Sequence, residues 1–406
     1  MNLGYPVING AFFIYLPEDS SKCILFHIFS ERIPGAYINQ KLYYTLIDRT
    51  TNNGLGKVIE KNVPLMEGTT QLNFNHAGAV RHANGRDWWV LLPHRMQPIY
   101  YRFLLTPEGI IGPEEQEIGF KMPTDDPSYY FGVNLFSQDG SQYVDYEWRK
   151  GEGFQLFDFD RCTGLLSNPI KVQYQTGFEV SNGAVGIAFS PSGRFLYMTY
   201  RKDSGVRLVQ YDLDAPDIAA SELLISDCPV PVSPYECSLG APILAPNGKI
   251  YIPALIDTVA FHVIHHPDGL GLDCDFEFGG FPFSEKYPTG GSPYFPNYRL
   301  YDVPGSPCDT LGINAPPVAV SDLEKEAISF DVYPNPTSGH CNVSFKLNGH
   351  PKTQVKLTNL FGHVLESHEV IGSSMSLSLS GLPTGIYFVQ ITVNGKLLKT
   401  EKLMKY

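Results

Sequence analysis

One turn signal recurs between residues 70 and 272 at a period of about 54 residues. Each copy places a polar residue directly before a glycine, a pair that favours a tight hairpin turn. The four pairs are Asn84-Gly85, Asp139-Gly140, Ser192-Gly193 and Asn247-Gly248. Such a chain is constrained to fold as a series of packed sheets, because one hairpin unit is too small to bury its own apolar faces.

The residues around each turn predict a strand before it, a second strand after it and a third strand further along the chain. A second glycine precedes each turn and opens a short apolar segment, such as the one from Val185 to Phe189. An aromatic residue follows the turn, and a third apolar strand then ends in a polar turn. Tyr and Phe number 24 and 25, and Gly and Pro number 38 and 32, which favours short strands joined by tight turns. We therefore predict an all-β fold, a β-propeller with one sheet per repeat.

A weaker copy of the repeat occupies the start of the chain. Residues 11–16 and 23–29 have the pattern of paired strands, and residues 41–48 have that of a third strand. Five blades are therefore visible. The segment from Phe281 to Leu300 is a candidate for part of a closing blade, and closure at five, six or seven blades stays open.

Several segments of this domain resemble a recurrent stretch of large secreted Bacteroidetes propeller proteins with WD- or YVTN-like repeats. The segments are residues 42–48, 53–58, 61–65, 82–89, 156–160 and 296–300. In those proteins a further blade and a signal peptide precede the part that matches Pro6. The first six residues here lack the basic start and apolar stretch of a secretory signal, so we expect the chain to begin inside a longer protein. The resemblance implies an architecture and no reaction.

The last 76 residues, Asp331 to Tyr406, have the pattern of a separate small all-β module. Three turn motifs interrupt its alternating strands, at residues 333–339, 359–362 and 382–387. We predict an Ig-like sandwich of two sheets. Its expected inward side chains are Val332, Val343, Phe345, Val355, Leu357, Leu377, Leu379, Phe388 and Ile391.

The order and spacing of these motifs, at the extreme C-terminus, resemble the type A sorting domain of the Bacteroidetes type IX secretion system. The resemblance implies an address that carries a cargo across the outer membrane, with the type IX apparatus as partner. The lysine-rich tail resembles the basic strand that such domains present to that apparatus, although lysines that guard an edge strand against aggregation explain it equally well. The predicted sorting residues are Tyr333, Pro334, Asn335, Pro336, Gly339, Gly362, Leu382, Pro383, Gly385, Tyr387, Lys399 and Lys402.

The propeller and the module are joined by a segment in which the repeat pattern fades. It contains the proline pair Pro316-Pro317, which favours an extended spacer, and then a charged run at residues 322–326. We expect a propeller at residues 1–303, a linker at residues 304–328 and the sorting module at residues 329–406.

Net charge argues against nucleic-acid binding, and hydropathy argues against a transmembrane helix. The formal net charge is −12, and the module holds seven Lys and four acidic residues, so the rest of the chain is more acidic still. Such a surface repels phosphate backbones, and we predict no nucleic-acid binding. No apolar run approaches the roughly 18 residues of a transmembrane helix, and none is predicted.

The seven cysteines show no Cys-x-x-Cys spacing, which disfavours a zinc ribbon or a thioredoxin-like site. In an oxidising compartment, Cys228 with Cys237 and Cys274 with Cys308 are candidate disulfides. Free cysteines throughout are the alternative, because connectivity is not fixed by sequence.

Four sets of side chains are candidates for chemistry, and each has a structural explanation. His262, His265 and His266 form a dense cluster, but a strand would place them on opposite faces. A mixed hairpin cluster could bind an anion or act as acid and base, and hairpin ends also carry solvated charge. Its members are His76, Arg81, His82, Arg86 and Asp87.

The carboxylate pairs and the tryptophans complete these candidates. Paired carboxylates can bind calcium or hydrolyse glycosides, yet these pairs recur at equivalent repeat positions, which favours a role in the blade's final turn. Aromatic side chains can line a ligand face, but packing between blades is favoured. The pairs are Asp158 with Asp160 and Asp212 with Asp214, and the tryptophans are Trp88, Trp89 and Trp148.

No catalytic motif, cofactor site or metal site is predicted from the sequence. We predict an exported protein, secreted or attached to the cell surface, whose propeller binds an extracellular protein or glycan. One alternative is a glycan-processing hydrolase or lyase with carboxylates in the propeller channel. Another is a structural component of a surface adhesion or gliding assembly.

Overall fold

The computed structural model describes most of both predicted domains. The described residues are 11–33, 36–67, 77–94, 97–120, 132–147, 153–173, 184–202, 205–229, 239–254, 258–287, 295–313, 330–345, 353–359, 363–370, 372–393 and 396–406. The chain divides into two compact units, Met1–Asn314 and Ala315–Tyr406. Apart from three short 3-10 turns, the regular structure of the described residues is all strand, which confirms the predicted all-β fold. None of their helices has the length and apolar character needed to cross a membrane.

The described residues of the first unit form five sheets of four antiparallel strands. The first three are β1 (Ala11–Leu16), β2 (Asp19–Ile33), β3 (Ala36–Asp48) and β4 (Lys57–Met66); β5 (Gly78–Arg81), β6 (Trp88–Pro93), β7 (Ile99–Thr106) and β8 (Gly109–Glu117); and β9 (Gly132–Phe136), β10 (Gln142–Glu147), β11 (Phe154–Asp160) and β12 (Leu165–Val172). The fourth and fifth are β13 (Ala184–Phe189), β14 (Phe195–Lys202), β15 (Gly205–Asp212) and β16 (Leu223–Pro229); and β17 (Ile243–Leu244), β18 (Ile250–Ile252), β19 (Thr258–Ile264) and β20 (Phe276–Tyr287).

Every one of these sheets is a meander, in which strands pair in the order of the sequence. The predicted turn pairs join the first and second strands of the second to fifth sheets. Their glycines share one left-handed conformation, with φ of 76° at Gly85, 75° at Gly140, 78° at Gly193 and 77° at Gly248. Side chains other than glycine are strained there, which explains why the repeat is marked by glycine. The sheets are the blades of the predicted propeller.

Four apolar clusters lie between consecutive sheets. They join the first sheet to the second, the second to the third, the third to the fourth and the fourth to the fifth. Between the second and third sheets, for example, Trp89 packs with Tyr143 and Phe157. Trp88 and Trp89 are 1% and 8% exposed, so the predicted packing role of both is confirmed, whereas Trp148 lies outside the described residues.

The candidate closing blade has a different structure from the one expected. Phe281 belongs to β20, the last strand of the fifth sheet, and residues 295–313 form no strand. These residues, here called the strap, contact the first three sheets. The Tyr298 hydroxyl donates to the carbonyl of Phe13, and Val303 N donates to the carbonyl of Ala83 at 2.9 Å. The sequence assigned residues 304–313 to the linker, whereas here they continue the strap. The remaining linker residues lie outside the described part of the chain.

The second unit is a sandwich of two sheets with one buried core. One sheet has the order β21 (Phe330–Tyr333), β22 (His340–Phe345) and β25 (Ser374–Ser378), and the other has the order β24 (Val364–Val370), β23 (Thr353–Asn359), β26 (Gly385–Val393) and β27 (Lys396–Lys405). The predicted inward side chains lie in or against the core, with one exception. Phe388 faces outward, because Tyr387 and Val389 on either side of it are buried.

Candidate functional sites

The mixed cluster predicted at the second-sheet hairpin is present. Arg86 Nε donates to Asp87 Oδ1 at 2.7 Å, and Asn84 Nδ2 donates to Asp87 Oδ2 at 2.7 Å. Asp87 is 4% exposed, so its charge is buried with its partners. Of the predicted members, Arg81, His82, Arg86 and Asp87 lie together at this turn, and His76 lies outside the described residues.

His82 is held in one orientation by two backbone hydrogen bonds. Its Nδ1 accepts from Asn84 N at 3.0 Å, and its Nε2 lies 3.0 Å from the carbonyl of Cys162, which can only accept. Nε2 therefore carries the proton and Nδ1 the lone pair. Burial lowers the pKa of His82, which favours this neutral form. Both ring nitrogens are used by the fold, which leaves neither for proton transfer.

Arg161, in the turn after β11, is a residue that the sequence did not single out. It is 7% exposed, and its guanidinium donates to four backbone carbonyls. Nε donates to Arg81 (2.8 Å), Nη1 to Asp139 (3.2 Å), and Nη2 to His82 (3.4 Å) and Tyr301. Burial lowers the pKa of Arg161 to about 10, so the side chain is still charged at neutral pH. It joins the second sheet, the third sheet and the strap.

Beside it, Cys162 forms a disulfide with Cys308 of the strap, with a Cα–Cα distance of 5.5 Å. The predicted pairing of Cys308 with Cys274 is wrong, because Cys274 is buried and free in the 3-10 turn between β19 and β20. Cys237, the predicted partner of Cys228, lies outside the described residues. Only the path of the strap brings the true partners together.

Asp302 of the strap lies in the same region as Arg161 and is 7% exposed. No protein donor among the described residues reaches either of its carboxylate oxygens. Its charge acts on Arg161 and favours the protonated guanidinium. Arg81, stacked 4.1 Å above the ring of Trp88, has its pKa lowered by burial to about 10. This region anchors the strap by burying cations against carbonyls and a carboxylate.

The recurrent carboxylate pairs hold turns. Asp160 accepts from the backbone N of Cys162 and from the hydroxyl of Thr163, both at 2.8 Å. Asp212 accepts from Arg194 Nη2 at 2.8 Å. The pairs are Asp158 with Asp160 and Asp212 with Asp214. Their predicted role in the final turn of the blade is confirmed for the third and fourth sheets, because both pairs lie where the third strand of the sheet ends.

The three histidines of the fifth sheet do not converge. His262 is 8% exposed and accepts from Gly279 N at 3.1 Å, whereas His265 contacts Glu277 at 2.7 Å. His266 lies 3.9 Å from Asp275. Among the residues that the structure describes, no group of three or more His, Cys, Asp or Glu side chains could hold a metal ion.

A buried polar row crosses the third sheet and was missed by sequence reasoning. Asp145 pairs with Asn134 on one side and Gln155 on the other, and each is 3% exposed. Tyr100 of the second sheet donates to Asp145 Oδ2 at 2.9 Å, and Gln155 Oε1 accepts from Phe120 N at 2.8 Å. The equivalent rows of the second and fourth sheets are Ala79, Val90 and Phe103, and Ile187, Met198 and Val209. Alignment of the repeats on their turn glycines reveals this polar substitution.

In the sandwich, the first turn motif closes the edge of the last strand. The Asn335 carboxamide donates to the carbonyl of Lys402 at 2.5 Å and accepts from Met404 N at 3.0 Å. It thus supplies the donor and acceptor that a neighbouring strand would provide. Thr337 continues this pairing through Met404 O at 2.8 Å and Tyr406 N at 3.1 Å. We call these contacts of Asn335 and Thr337 with β27 the clasp.

The third motif meets the same strand through a lysine that the sequence did not select. Lys405 Nζ donates to the carbonyl of Leu379 at 2.9 Å and to that of Leu382. The Tyr387 hydroxyl donates to the carbonyl of Pro383 at 2.7 Å, which closes the motif on itself. Two motifs far apart in sequence therefore both hold β27.

The other predicted sorting residues occupy the turns or the surface. Tyr333 is 53% exposed, and Pro334 and Pro336 are exposed beside the clasp. The left-handed glycine beside the third motif is Gly381, with φ of 85°. Gly385 of the third motif and Gly339 of the first do not have a positive φ. Gly362 lies outside the described residues. Lys399 contacts Glu401 at 3.1 Å and the carbonyl of Phe330 at 3.5 Å, whereas Lys402 is exposed.

Residues 331–406 match the family of secretion system C-terminal sorting domains. The predicted type IX sorting domain is thereby confirmed, and it indicates a protein exported by that system, to be secreted or attached to the cell surface. The curated proteins contain no match to the chain.

Solved structures with similarity to the whole chain are distant. PorZ of Porphyromonas gingivalis, a surface component of the type IX secretion system, is 11% identical, with a TM-score of 0.38. The alignment covers 94% of this chain, which spans 58% of the length of PorZ. A functionally unknown protein of Desulfotomaculum acetoxidans is 11% identical over 100% of this chain and 92% of that one, with a TM-score of 0.38. These likenesses carry no conclusion about function, and the propeller assignment rests on the strand order of the sheets.

Proposed function

We propose that this protein binds an extracellular protein or glycan through its propeller, and that residues 331–406 direct it across the outer membrane. In this proposal the two units have separate tasks. The propeller recognises a ligand, and the sandwich is recognised by the type IX apparatus. Neither task requires a covalent step.

One observation carries the binding proposal. Among the described residues, the carboxylate pairs and the hairpin cluster that the sequence marked as candidates for chemistry hold the turns of the blades instead. Asp160 accepts from Cys162 N and Asp212 from Asp214 N, so both cap final turns. Both ring nitrogens of His82 are bonded to backbone groups, and Arg86 is paired with Asp87. Catalytic carboxylates need free oxygens directed at a substrate. A scaffold whose charges are engaged in this way suits presentation of loops for recognition.

The export task is tested with the full chain behind a periplasmic signal in a Bacteroidetes host. A matched variant ends at residue 328, and both are also expressed in a strain without a working type IX system. We expect the full chain on the surface or in the medium of the parent strain only. Retention of the full chain in the periplasm of the parent strain would refute the proposed address.

The binding task is tested with the secreted protein. It is incubated with panels of bacterial and host glycans and of extracellular matrix proteins, and both retention and chemical change are measured. Saturable binding without new reducing ends or unsaturated products is the expected result. The appearance of such products would replace the binding proposal with the hydrolase or lyase alternative.

A further inference from the structure

The turn between β19 and β20 carries two leucines that the fold leaves exposed. Leu272 is 81% exposed and Leu270 is 51% exposed. Leu223, at the start of β16, is 39% exposed and lies against the glycine between them, because a Cβ atom added to Gly271 would stand 3.6 Å from Leu223 Cδ1. Apolar side chains that are exposed singly are ordinary, but adjacent ones indicate an interaction surface. We call Leu223, Leu270 and Leu272 the leucine patch.

The neighbouring sheet holds this turn in one conformation. Gln210 of the fourth sheet, which is 1% exposed, donates through Nε2 to the carbonyl of Gly269 and accepts through Oε1 from Gly271 N, both at 2.7 Å. The Tyr197 hydroxyl donates to the carbonyl of Pro267 at 2.8 Å. Because the backbone beside the leucines is fixed in this way, the patch loses little conformational entropy when a partner covers it.

The segments that carry the leucine patch are acidic. Residues 212–227 contain five acidic residues and no Lys or Arg, and residues 266–277 contain four acidic residues and no Lys or Arg. Asp268 and Asp273 are exposed and lie within two residues of the leucines of the turn, and Glu222 directly precedes the leucine of β16. The patch therefore combines an apolar centre with a negatively charged rim.

We propose that the leucine patch is a docking surface for a basic protein segment, whose apolar side chains cover the leucines and whose Lys or Arg residues face the surrounding carboxylates. Burial of the leucines supplies affinity, and the complementary charge selects the partner and speeds its approach. This inference rests on the proposed binding function of the propeller. It goes further in naming a surface and in assigning it to a positively charged protein and not to a glycan.

Three other occupants fit the patch less well. A glycan is bound best by aromatic faces and by polar groups directed at its hydroxyls, whereas the patch offers three aliphatic side chains. An anionic membrane would bring negative charge against the acidic rim, because membrane surfaces of this kind attract basic segments. A second copy of the chain would place one acidic rim against another across a two-fold axis, and like charges repel.

The test uses the secreted full chain and a fluorescently labelled synthetic peptide as the probe. The peptide is an amphipathic sequence of leucine and lysine. In two companion peptides, serine replaces every leucine or glutamate replaces every lysine. Binding is measured by fluorescence anisotropy as the full chain is added. We expect the leucine–lysine peptide to bind, and each companion to bind at least about tenfold more weakly, because one lacks the apolar contact and the other has the wrong charge.

Variants of the full chain then locate the contact. Leu270→Ser and Leu272→Ser should each weaken binding of the leucine–lysine peptide by about tenfold, because each removes one leucine from the interface. Asp273→Asn should weaken it by about threefold, and this difference should vanish in about 0.5 M salt, which screens exposed charges. The matched controls are Leu55→Ser, at a leucine 84% exposed before β4, and Asp331→Asn, at an exposed carboxylate on β21, and both should match the parent chain. Unfolding midpoints in urea equal to that of the parent chain show that the variants are folded.

The outcomes separate this inference from the proposed function. If the leucine–lysine peptide does not bind, or binds the leucine variants as tightly as the parent chain, the docking surface is overturned. The proposed function stands in that case if a glycan or matrix protein shows saturable binding, and it fails as well if none does. Two further results also overturn the docking surface. These are Leu272-dependent sedimentation with phosphatidylglycerol vesicles, which assigns the patch to lipid, and a Leu272-dependent dimer in sedimentation velocity, which assigns it to a second copy of the chain.

Discussion

Replacement of Arg161 by Met should loosen the strap and destabilise the propeller. The methionine keeps much of the apolar stem and removes the guanidinium. Four backbone carbonyls then lose a charged donor, on the second sheet, the third sheet and the strap. Asp302 also loses the nearby positive charge that offsets its own burial.

The magnitude follows from what is left unpaired. Removal of one partner from a buried charged network costs about 3–5 kcal/mol, because the groups that remain are desolvated without compensation. Some carbonyls will regain water if the strap lifts, so we expect a loss of about 3 kcal/mol in the free energy of unfolding. With a urea dependence of about 3 kcal/mol per molar, this corresponds to a midpoint lower by about 1 M.

Tryptophan fluorescence is the appropriate assay because the chain has three Trp, all in the first unit. Trp88 lies beneath Arg81, and Trp89 Nε1 donates to the carbonyl of Arg161 at 2.9 Å. The signal therefore reports the propeller and not the sandwich, which avoids treating a two-unit protein as one transition.

The matched control is Arg194→Met. Arg194 is paired with Asp212 at 2.8 Å, but its side chain is 49% exposed. An exposed pair contributes about 0.2–1 kcal/mol, so the control should shift the midpoint by a few tenths of a molar at most. If Arg161→Met shifts the midpoint no further than Arg194→Met, the role assigned to the buried guanidinium is wrong.

Three further predictions concern the disulfide, the clasp and the buried histidine. Cys308→Ser opens a link across a sequence separation of 146 residues and should lower propeller stability by about 3–5 kcal/mol in urea titrations. Asn335→Ala removes both side-chain bonds to β27 and should speed hydrogen exchange of the Met404 amide by about tenfold or more. Lowering the pH from 7 to 5 should destabilise the propeller, because burial lowers the pKa of His82, so that the unfolded imidazole, with a pKa of about 6.5, takes up a proton more readily than the folded one. His82→Gln should flatten that slope.

Each of these predictions has its own contrary outcome. Peptide mapping without reduction should recover Cys162 joined to Cys308 in the secreted protein, and recovery of both as free thiols would contradict the pairing. Asn342→Ala, an exposed asparagine on β22, should leave the exchange of β27 unchanged. A pH slope that is the same with and without His82 would show that other groups carry the titration.

The propeller was predictable because each repeat needs a glycine in the left-handed conformation at its hairpin turn. The left-handed turn at Gly85 and its three equivalents admits glycine and few other residues, so the period appears directly in the sequence. The sandwich was predictable from its turn motifs and its alternating strands. Phe388 was predicted to face inward because it is large and apolar. In the structure Tyr387 and Val389 on either side of it are buried, so Phe388 faces outward.

The strap was not predictable, because no local rule fixes its path. Cys308 is 146 residues from Cys162, and nothing between them signals proximity. In the sequence Arg161 resembles an ordinary charged residue in a turn. Only the fold brings the carbonyl of Tyr301 to its guanidinium. The clasp is similar, since the sequence marks Asn335 as a turn residue but not as the partner of the last strand.

The polar row of the third sheet has a consequence for how the blades find their order. Repeated sheets with interchangeable apolar faces risk packing against the wrong neighbour during folding. The interface between the second and third sheets differs, because Tyr100 on one side donates to Asp145 on the other. In the equivalent rows of the second and fourth sheets, Val90 and Met198 replace the carboxylate. If the third sheet packed against a sheet with no hydroxyl at the position of Tyr100, Asp145 would be buried without this donor. The cost would be about 1–3 kcal/mol or more. The polar row therefore makes packing of the third sheet against a sheet other than the second less stable, and so favours the native order of these two blades.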